Sequence, residues 1–176
     1  MLKNKVAIIT GAGGTLCSEI AVRLAECGVK VALLGRTEDK LKAVCDKIIK
    51  NGGEAYVRIC DVTDKDTVAK AAEETKHELG LCNYLINGAG GNNIKAMPTI
   101  TKFDQRELKG SLPEGEKGLY QIDMEAFENV LKTNIMGTVI PIMEFSKQMI
   151  EAAGGSIINF ASMNSYVPLT RCFAYA

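Results

Sequence analysis

The sequence has no net charge and no long hydrophobic run. Its 21 lysines and arginines balance 21 aspartates and glutamates, so no overall field would attract nucleic acid or an anionic membrane. No apolar run approaches the roughly 20 residues that a membrane-spanning helix needs, and the first residues lack the charged, apolar and cleavage regions of a signal peptide. We therefore expect a cytoplasmic protein that binds neither nucleic acid nor a membrane.

Histidine is almost missing, and the cysteines form no metal or redox motif. His77 is the single histidine, and no two cysteines form a C-x-x-C pair or cluster near it. The six cysteines are Cys17, Cys27, Cys45, Cys60, Cys82 and Cys172. Because this spacing indicates neither a zinc site nor a dithiol redox site, we predict no metal site and interpret the cysteines as core residues of a reducing compartment.

The hydrophobic pattern alternates between short apolar runs and segments of helical period. The apolar runs, typical of strands in a buried sheet, cover 5–10, 29–34, 54–60, 81–86 and 155–161. The helical segments cover 16–28, 38–50, 63–79 and 123–152, with Thr63 at the head of the third. Strands that alternate with helices of this length pair in parallel through right-handed crossovers. We predict an α/β fold, a doubly wound parallel-sheet Rossmann domain over residues 1–176.

One segment, residues 92–121, interrupts this alternation. It is polar and contains Pro98 and Pro113 together with Gly110, Gly115 and Gly118. A loop of this length in a compact domain is typical of a lid, a specificity loop or a mobile insertion. The segment is therefore either related to the substrate or merely tolerated on the surface.

A glycine-rich turn follows the first strand, in the stretch VAIITGAGGTLCSEI over 6–20. Gly11 and Gly13 match the first two glycines of the dinucleotide fingerprint G-x-G-x-x-G, whereas Leu16 stands third. Backbone amides at the start of the following helix can bind a pyrophosphate. The motif alone fits an ordinary turn equally well, but its place in a β-α-β unit favours a cofactor site made of Thr10, Gly11, Gly13, Gly14, Thr15 and Leu16.

This turn and several later motifs resemble the short-chain dehydrogenase/reductase family. In the family motif T-G-x-x-x-G-x-G, Thr10 and Gly11 match, and Thr15 and Cys17 replace the second and third glycines. The later matches follow in the family's order: Asp61 and Val62 as its adenine-contacting pair, Asn87-Gly88-Ala89-Gly90 as its N-A-G element, Asn134 within N-I-M-G, and Ser162 and Tyr175. The order of these matches, with Tyr175 thirteen positions after Ser162 (175 − 162 = 13), is what carries the resemblance.

Each matching residue also has a purely structural interpretation. Ser162 could be a turn residue, and Tyr175 a buried aromatic whose hydroxyl is satisfied. Asn134 could bond the backbone of its helix, and Asp61 could cap the helix that follows it. These interpretations leave the shared order and spacing unexplained.

The resemblance implies hydride transfer between a nicotinamide and a carbonyl or alcohol. Tyr175 would be the general acid or base, Ser162 would hydrogen-bond the substrate oxygen, and Asn134 would anchor a proton relay. Free tyrosine has a pKa of about 10, and the family stabilises the phenolate with the nicotinamide charge and with a lysine four residues after the tyrosine. That position lies beyond Ala176, so we expect a C-terminally incomplete fold that is inactive by itself. The resemblance also implies that the full-length form is a homodimer or homotetramer.

The end of the second strand bears on the choice of cofactor. Family members that prefer NAD place an acid there, whereas this chain has Gly35 followed by Arg36 and Thr37. Without an acid to repel a 2′-phosphate, Arg36 can pair with it. The sequence therefore favours NADP(H) over NAD(H), the alternative being that Arg36 is a solvated surface charge.

The substrate is suggested by two segments, N-G-A-G-G-N and S-I-I-N-F-A-S-M-N-S-Y-V-P-L-T-R. They resemble the family's sugar-acid oxidoreductases, which interconvert fructuronate and mannonate. Lys95, Lys102 and Arg171 are candidates to bind a substrate carboxylate, although each is also an ordinary surface charge. Two alternatives stay open: a reductase of another carbonyl such as a ketoacyl thioester, and a non-catalytic dinucleotide-binding protein.

Overall fold

The computed structural model describes residues 2–167 and 169–175, so Pro168 of the second sugar-acid segment lies outside the described residues. Its sheet has five strands in the order β3-β2-β1-β4-β5, and all four pairings are parallel. The strands are β1 Val6–Thr10, β2 Lys30–Gly35, β3 Ala55–Ile59, β4 Cys82–Asn87 and β5 Ser156–Asn159. The predicted doubly wound α/β fold is confirmed.

The helices differ from the sequence prediction at two places. They are α1 Thr15–Glu26, α2 Glu38–Lys50, α3 Lys65–Leu79, α4 Met124–Leu131 and α5 Gly137–Glu151. Residues 124–151 are helical throughout, as predicted for 123–152, but a π-helical turn at Lys132–Met136 separates α4 from α5. Thr63 does not head α3 either: the N-cap is Asp64, whose carboxylate accepts the backbone N–H groups of Asp66 and Thr67.

The chain forms two compact units, which we describe separately. The sheet unit comprises Met1–Ala89 and Met136–Phe160, and the loop unit comprises Gly90–Ile135 and Ala161–Ala176. The predicted insertion 92–121 lies in the loop unit. That residues 1–176 form one domain stays a prediction.

The sheet unit has apolar clusters on both faces of its sheet. Successive side chains of β1 point to opposite faces, and all five are buried. Val6 and Ile8 belong to a cluster with residues of α3 and α5, whereas Ala7 and Ile9 belong to a cluster with residues of α1 and α2. Helices on both faces explain why β1 reads as a continuous hydrophobic run.

Among its described residues, the loop unit contains α4 and four short 3-10 helices. These are Ile94–Ala96, Gln105–Lys109, Leu119–Gln121 and Met163–Ser165. A small cluster of Ala96, Ala126, Val130 and Ala174 forms its core. In neither unit is any helix of the described residues long and apolar enough to cross a membrane.

Candidate active site

The turns after β1 and β4 pack directly against each other in the sheet unit. The buried hydroxyl of Thr10 accepts hydrogen bonds from the backbone N–H groups of Gly88 at 3.1 Å and Ala89 at 3.2 Å. Gly11 has a φ of +63°, and a β-carbon there would lie 2.7 Å from the Gly88 carbonyl oxygen. Only glycine fits that conformation and that gap. Four of the predicted cofactor residues are thus brought together at the carboxyl edge of the sheet.

The first turn of α1 is open to an anion. Its N-cap is Gly14, which has no side chain to accept the free backbone N–H groups, and the turn contains no acidic residue. Gly14, Thr15 and Leu16 are exposed. Uncapped N–H groups at the positive end of a helix dipole suit a phosphate. Gly13 has a packing reason of its own, since a β-carbon there would lie 2.9 Å from the β-carbon of Lys40.

Asp61 shapes the turn that leads from β3 to α3. Its Oδ1 atom accepts the backbone N–H of Thr63 at 2.9 Å and the Thr63 hydroxyl at 2.8 Å. The structural alternative in which Asp61 caps α3 is wrong, because Asp64 takes that position. Val62 is buried and lies so close to Gly137 that a β-carbon on the glycine would be 2.7 Å from its Cγ2 atom.

Asn87 ends β4 with an unsatisfied hydrogen-bond acceptor. Its side chain is 3% exposed, and its Nδ2 atom donates to Oδ1 of Asn159 at 2.9 Å. Its own Oδ1 atom is buried and accepts no hydrogen bond from any described residue. A buried acceptor without a donor is destabilising, so this edge of the sheet suits a ligand that donates a hydrogen bond. Asn159 was not singled out from the sequence, although an asparagine at the end of a strand is a usable signal.

The residues after β2 leave one cation without a partner. Arg36 is exposed and makes no hydrogen bond or ion pair with the parts of the chain that the structure describes. Thr37 is the N-cap of α2, but its side chain makes no capping hydrogen bond. The nearby Glu38 pairs with Lys42 at 2.6 Å. Arg36 is therefore available to a phosphate.

Asn134 holds a glycine of the loop unit by both of its backbone groups. Its Oδ1 atom accepts the Gly91 N–H at 2.9 Å, and its Nδ2 atom donates to the Gly91 carbonyl at 2.8 Å. The same Nδ2 atom donates to the carbonyl of Val130, four residues earlier, at 2.8 Å. A side chain that bonds this carbonyl competes with the α-helical ladder, which accounts for the π-helical turn. Such turns are frequent at functional sites.

Ser162 and Tyr175 occupy separate turns of the loop unit. The Oγ atom of Ser162 accepts the backbone N–H of Asn164 at 3.2 Å and caps the short helix Met163–Ser165. Tyr175 is half-buried and packs on the cluster that contains Val130. Val130 therefore links two candidates, since its carbonyl bonds Asn134 and its side chain lies in the cluster that Tyr175 contacts.

Glu107 is a structural residue that the sequence pattern did not indicate. Its carboxylate is 4% exposed and accepts the backbone N–H groups of Asp104 at 3.2 Å and Leu119 at 2.8 Å. Gly118 packs against it so closely that a β-carbon would overlap the carboxylate. The spacing D-x-x-E at Asp104 and Glu107 is a capping-box signal that could have identified it. Glu107 thus connects, through hydrogen bonds, the segments of the insertion 92–121 that contain Asp104 and Leu119.

Comparison with known proteins places these features in a family. The family model for short chain dehydrogenases matches residues 5–176. An uncharacterized oxidoreductase of Haemophilus influenzae is 37% identical over 175 residues, which are 99% of this chain and 60% of that protein. The chain therefore spans about three fifths of the length of this relative.

Two solved structures show the same fold with different cofactors. One, also from Haemophilus influenzae, is provisionally named D-mannonate oxidoreductase and contains bound NAD. It is 35% identical with a TM-score of 0.91, and the match covers 99% of this chain and 60% of that one. The other is a metagenomic short-chain oxidoreductase in complex with NADP, 26% identical with a TM-score of 0.78, and the match covers 99% of this chain and 69% of that one. The resemblance drawn from the sequence is confirmed: the chain belongs to the short-chain dehydrogenase family.

Proposed function

We propose that this chain is the cofactor-binding part of an NAD(P)-dependent oxidoreductase that interconverts a carbonyl and an alcohol of a sugar acid. The observation that carries the proposal is the pair of interlocked turns at Thr10 and Gly88, beside an uncapped first turn of α1. The family membership and the NAD-containing structural neighbour support the cofactor class. The provisional name of that neighbour supports the substrate class.

Three features of the sheet unit support the binding of a dinucleotide. The first turn of α1, at Thr15 and Leu16, would hold the pyrophosphate. Asp61 and Val62 would contact the adenine, and Asn87 with its orphan Oδ1 atom stands at the end of β4. When bound, the nicotinamide supplies or accepts a hydride.

Each catalytic candidate then has a defined task. Tyr175 donates its phenolic proton to the substrate oxygen during reduction and accepts it back during oxidation. The Oγ atom of Ser162 already accepts the Asn164 N–H, so its own hydrogen is left to bond the same substrate oxygen. Asn134 fixes Gly91 and the π-helical turn, which makes its role one of positioning.

The experiment uses the complete product of the source gene with a panel of hexuronates, gluconate and acetoacetyl thioesters. We expect turnover of the sugar acids, and a fall in kcat of about 10² to 10⁴ in Tyr175→Phe, the range for general acid–base groups. Ser165→Ala, an exposed hydroxyl in the turn after Ser162, is the matched control and should leave turnover unchanged. Absence of sugar-acid turnover, or full activity of Tyr175→Phe, would overturn the proposal.

We propose NADP(H) rather than NAD(H) as the preferred cofactor. The support is the exposed, unpaired Arg36 after a strand that ends in Gly35. Arg36→Gln should weaken NADPH binding about tenfold, or about 1.4 kcal/mol, and leave NADH binding unchanged. Lys50→Gln, at the opposite end of α2, is the control for loss of a positive charge. A wild-type protein that binds NADH more tightly than NADPH would contradict the preference.

A further inference from the structure

Three cations were candidates for a substrate carboxylate, and the structure distinguishes one of them. Lys95 and Lys102 have exposed side chains. Arg171 is half-buried, and its Nη1 atom donates to the backbone carbonyl of Thr99 at 2.7 Å. Its Nε atom is fully buried and has no hydrogen-bond partner among residues 2–167 and 169–175. The Arg171 side chain is therefore oriented by one hydrogen bond, while its Nε donor has no acceptor.

The unsatisfied part of the Arg171 guanidinium matches the shape of a carboxylate. The N–H bonds of Nε and Nη2 point along one edge of the planar group, and the bond to Thr99 uses Nη1 on the other side. Two parallel N–H donors in this arrangement bind both oxygens of a carboxylate. The Thr99 carbonyl fixes the plane of the group, so less rotational freedom is lost when a ligand binds.

No acid neutralises this cation within the described part of the loop unit. The ion pair formed there is between Arg106 and Asp104, and it does not include Arg171. The backbone of Arg171 has a φ of +76°, which is rare for a residue with a side chain and is commonly retained for a functional reason. The unpaired charge, the backbone conformation and the unsatisfied Nε atom all indicate that Arg171 is a functional residue.

We infer that the carboxylate of the substrate displaces the groups that bury the Nε atom, binds the Nε and Nη2 edge of Arg171, and makes the enzyme selective for sugar acids over neutral sugars. The inference rests on the proposed function. Arg171 lies four residues before Tyr175 and is bonded to Thr99 of the insertion 92–121. The insertion thus contributes to substrate selection by orienting this arginine.

The test compares a hexuronate with the neutral ketohexose that has a hydroxymethyl group in place of the carboxylate. Arg171→Gln should raise KM for the hexuronate 10- to 100-fold with little change in kcat, and leave KM for the neutral sugar unchanged. In Arg171→Lys, KM for the hexuronate should lie between the values for wild type and Arg171→Gln, because an ammonium keeps the charge but cannot donate two parallel hydrogen bonds to the carboxylate. Lys109→Gln, an exposed cation of the same insertion, is the control for charge loss and should change neither KM.

Two results would overturn the inference while leaving the proposed function intact. One is an unchanged KM for the hexuronate in Arg171→Gln. The other is an equal loss of activity on both sugars together with a lower melting temperature. That result would show that Arg171 only stabilises the contact of its own segment with Thr99 of the insertion 92–121. A wild-type enzyme that reduces acetoacetyl thioesters and no sugar acid would instead overturn the proposed function itself.

Discussion

The Sγ atom of Cys17 occupies the space that a β-carbon on Gly88 would need. Cys17 lies on α1, is 4% exposed, and replaces a glycine of the family motif. Gly88 lies in the turn after β4 and also contacts the Thr10 carbonyl, which would be 3.1 Å from an added β-carbon. The Cys17 side chain on α1 therefore fits because Gly88, in the turn after β4, has no side chain. Burial raises the pKa of the Cys17 thiol.

This contact predicts a pair of compensating substitutions. Gly88→Ala should destabilise the protein by about 1 to 3 kcal/mol, the usual cost of overpacking a close-packed site, and weaken nicotinamide cofactor binding. Cys17→Gly combined with Gly88→Ala should recover most of the loss, because the overlapping sulfur is removed. Denaturant unfolding and cofactor titration measure both effects, with Cys45→Ala as a control on α2. Equal stability of Gly88→Ala and wild type would show that the contact is not restrictive.

The hydrogen bonds of Asn134 predict how its substitutions rank. Asn134→Ala removes three bonds, each with a net contribution of about 1 kcal/mol, and should release the Gly91 amide to hydrogen exchange. Asn134→Asp should be no better, since a carboxylate oxygen would then face the Gly91 and Val130 carbonyls without a proton to donate. Hydrogen exchange at Gly91 and kcat are the measurements, and the exposed Asn129→Ala on α4 is the control. Protection of Gly91 that survives in both variants would contradict the assignment.

The buried carboxylate of Glu107 predicts a local effect in the insertion. Glu107→Gln leaves one amide oxygen but replaces the other acceptor with a donor, which would face a backbone N–H. We expect a cost of about 1 to 3 kcal/mol for the group left unsatisfied and faster amide exchange at Leu119 or Asp104. Glu114→Gln, which is exposed in the same segment, should leave both amides unchanged. Slow exchange at both amides in Glu107→Gln would rule out this role.

Asp104 predicts a pH dependence in the same segment. The hydrogen bond from the Arg106 side chain, followed by that from its backbone, lowers the pKa of Asp104 to about 2 from 3.8. Because the folded pKa lies below the unfolded one, the ionised carboxylate stabilises the segment above pH 4, and this contribution is lost as the pH falls towards 2. A carboxyl titration followed by NMR should show the low midpoint, and Arg106→Gln should move it back up. A wild-type midpoint near 4 would contradict the Arg106 contact.

The sheet and its connections were predictable from the amino-acid sequence. Apolar runs between helical segments are typical of a parallel sheet with helices on both faces, and each predicted strand lies within two residues of the observed one. The order of the motifs from Thr10 to Tyr175 likewise identified the family, because this order can be read directly from the linear sequence. Neither inference required knowing which distant side chains meet.

Features that depend on contacts between distant segments became visible only in the folded chain. The pattern over 123–152 predicted the helix but not its π-helical turn, because periodicity does not show that Asn134 bonds Gly91 and the Val130 carbonyl. The three candidate cations were equivalent in the sequence, and only Arg171 has a carbonyl 72 residues away that orients it. Cys17 and Gly88 are 71 positions apart (88 − 17 = 71), so their fit is visible only after β1 and β4 pair. Packing between distant segments, rather than local propensity, selects these contacts.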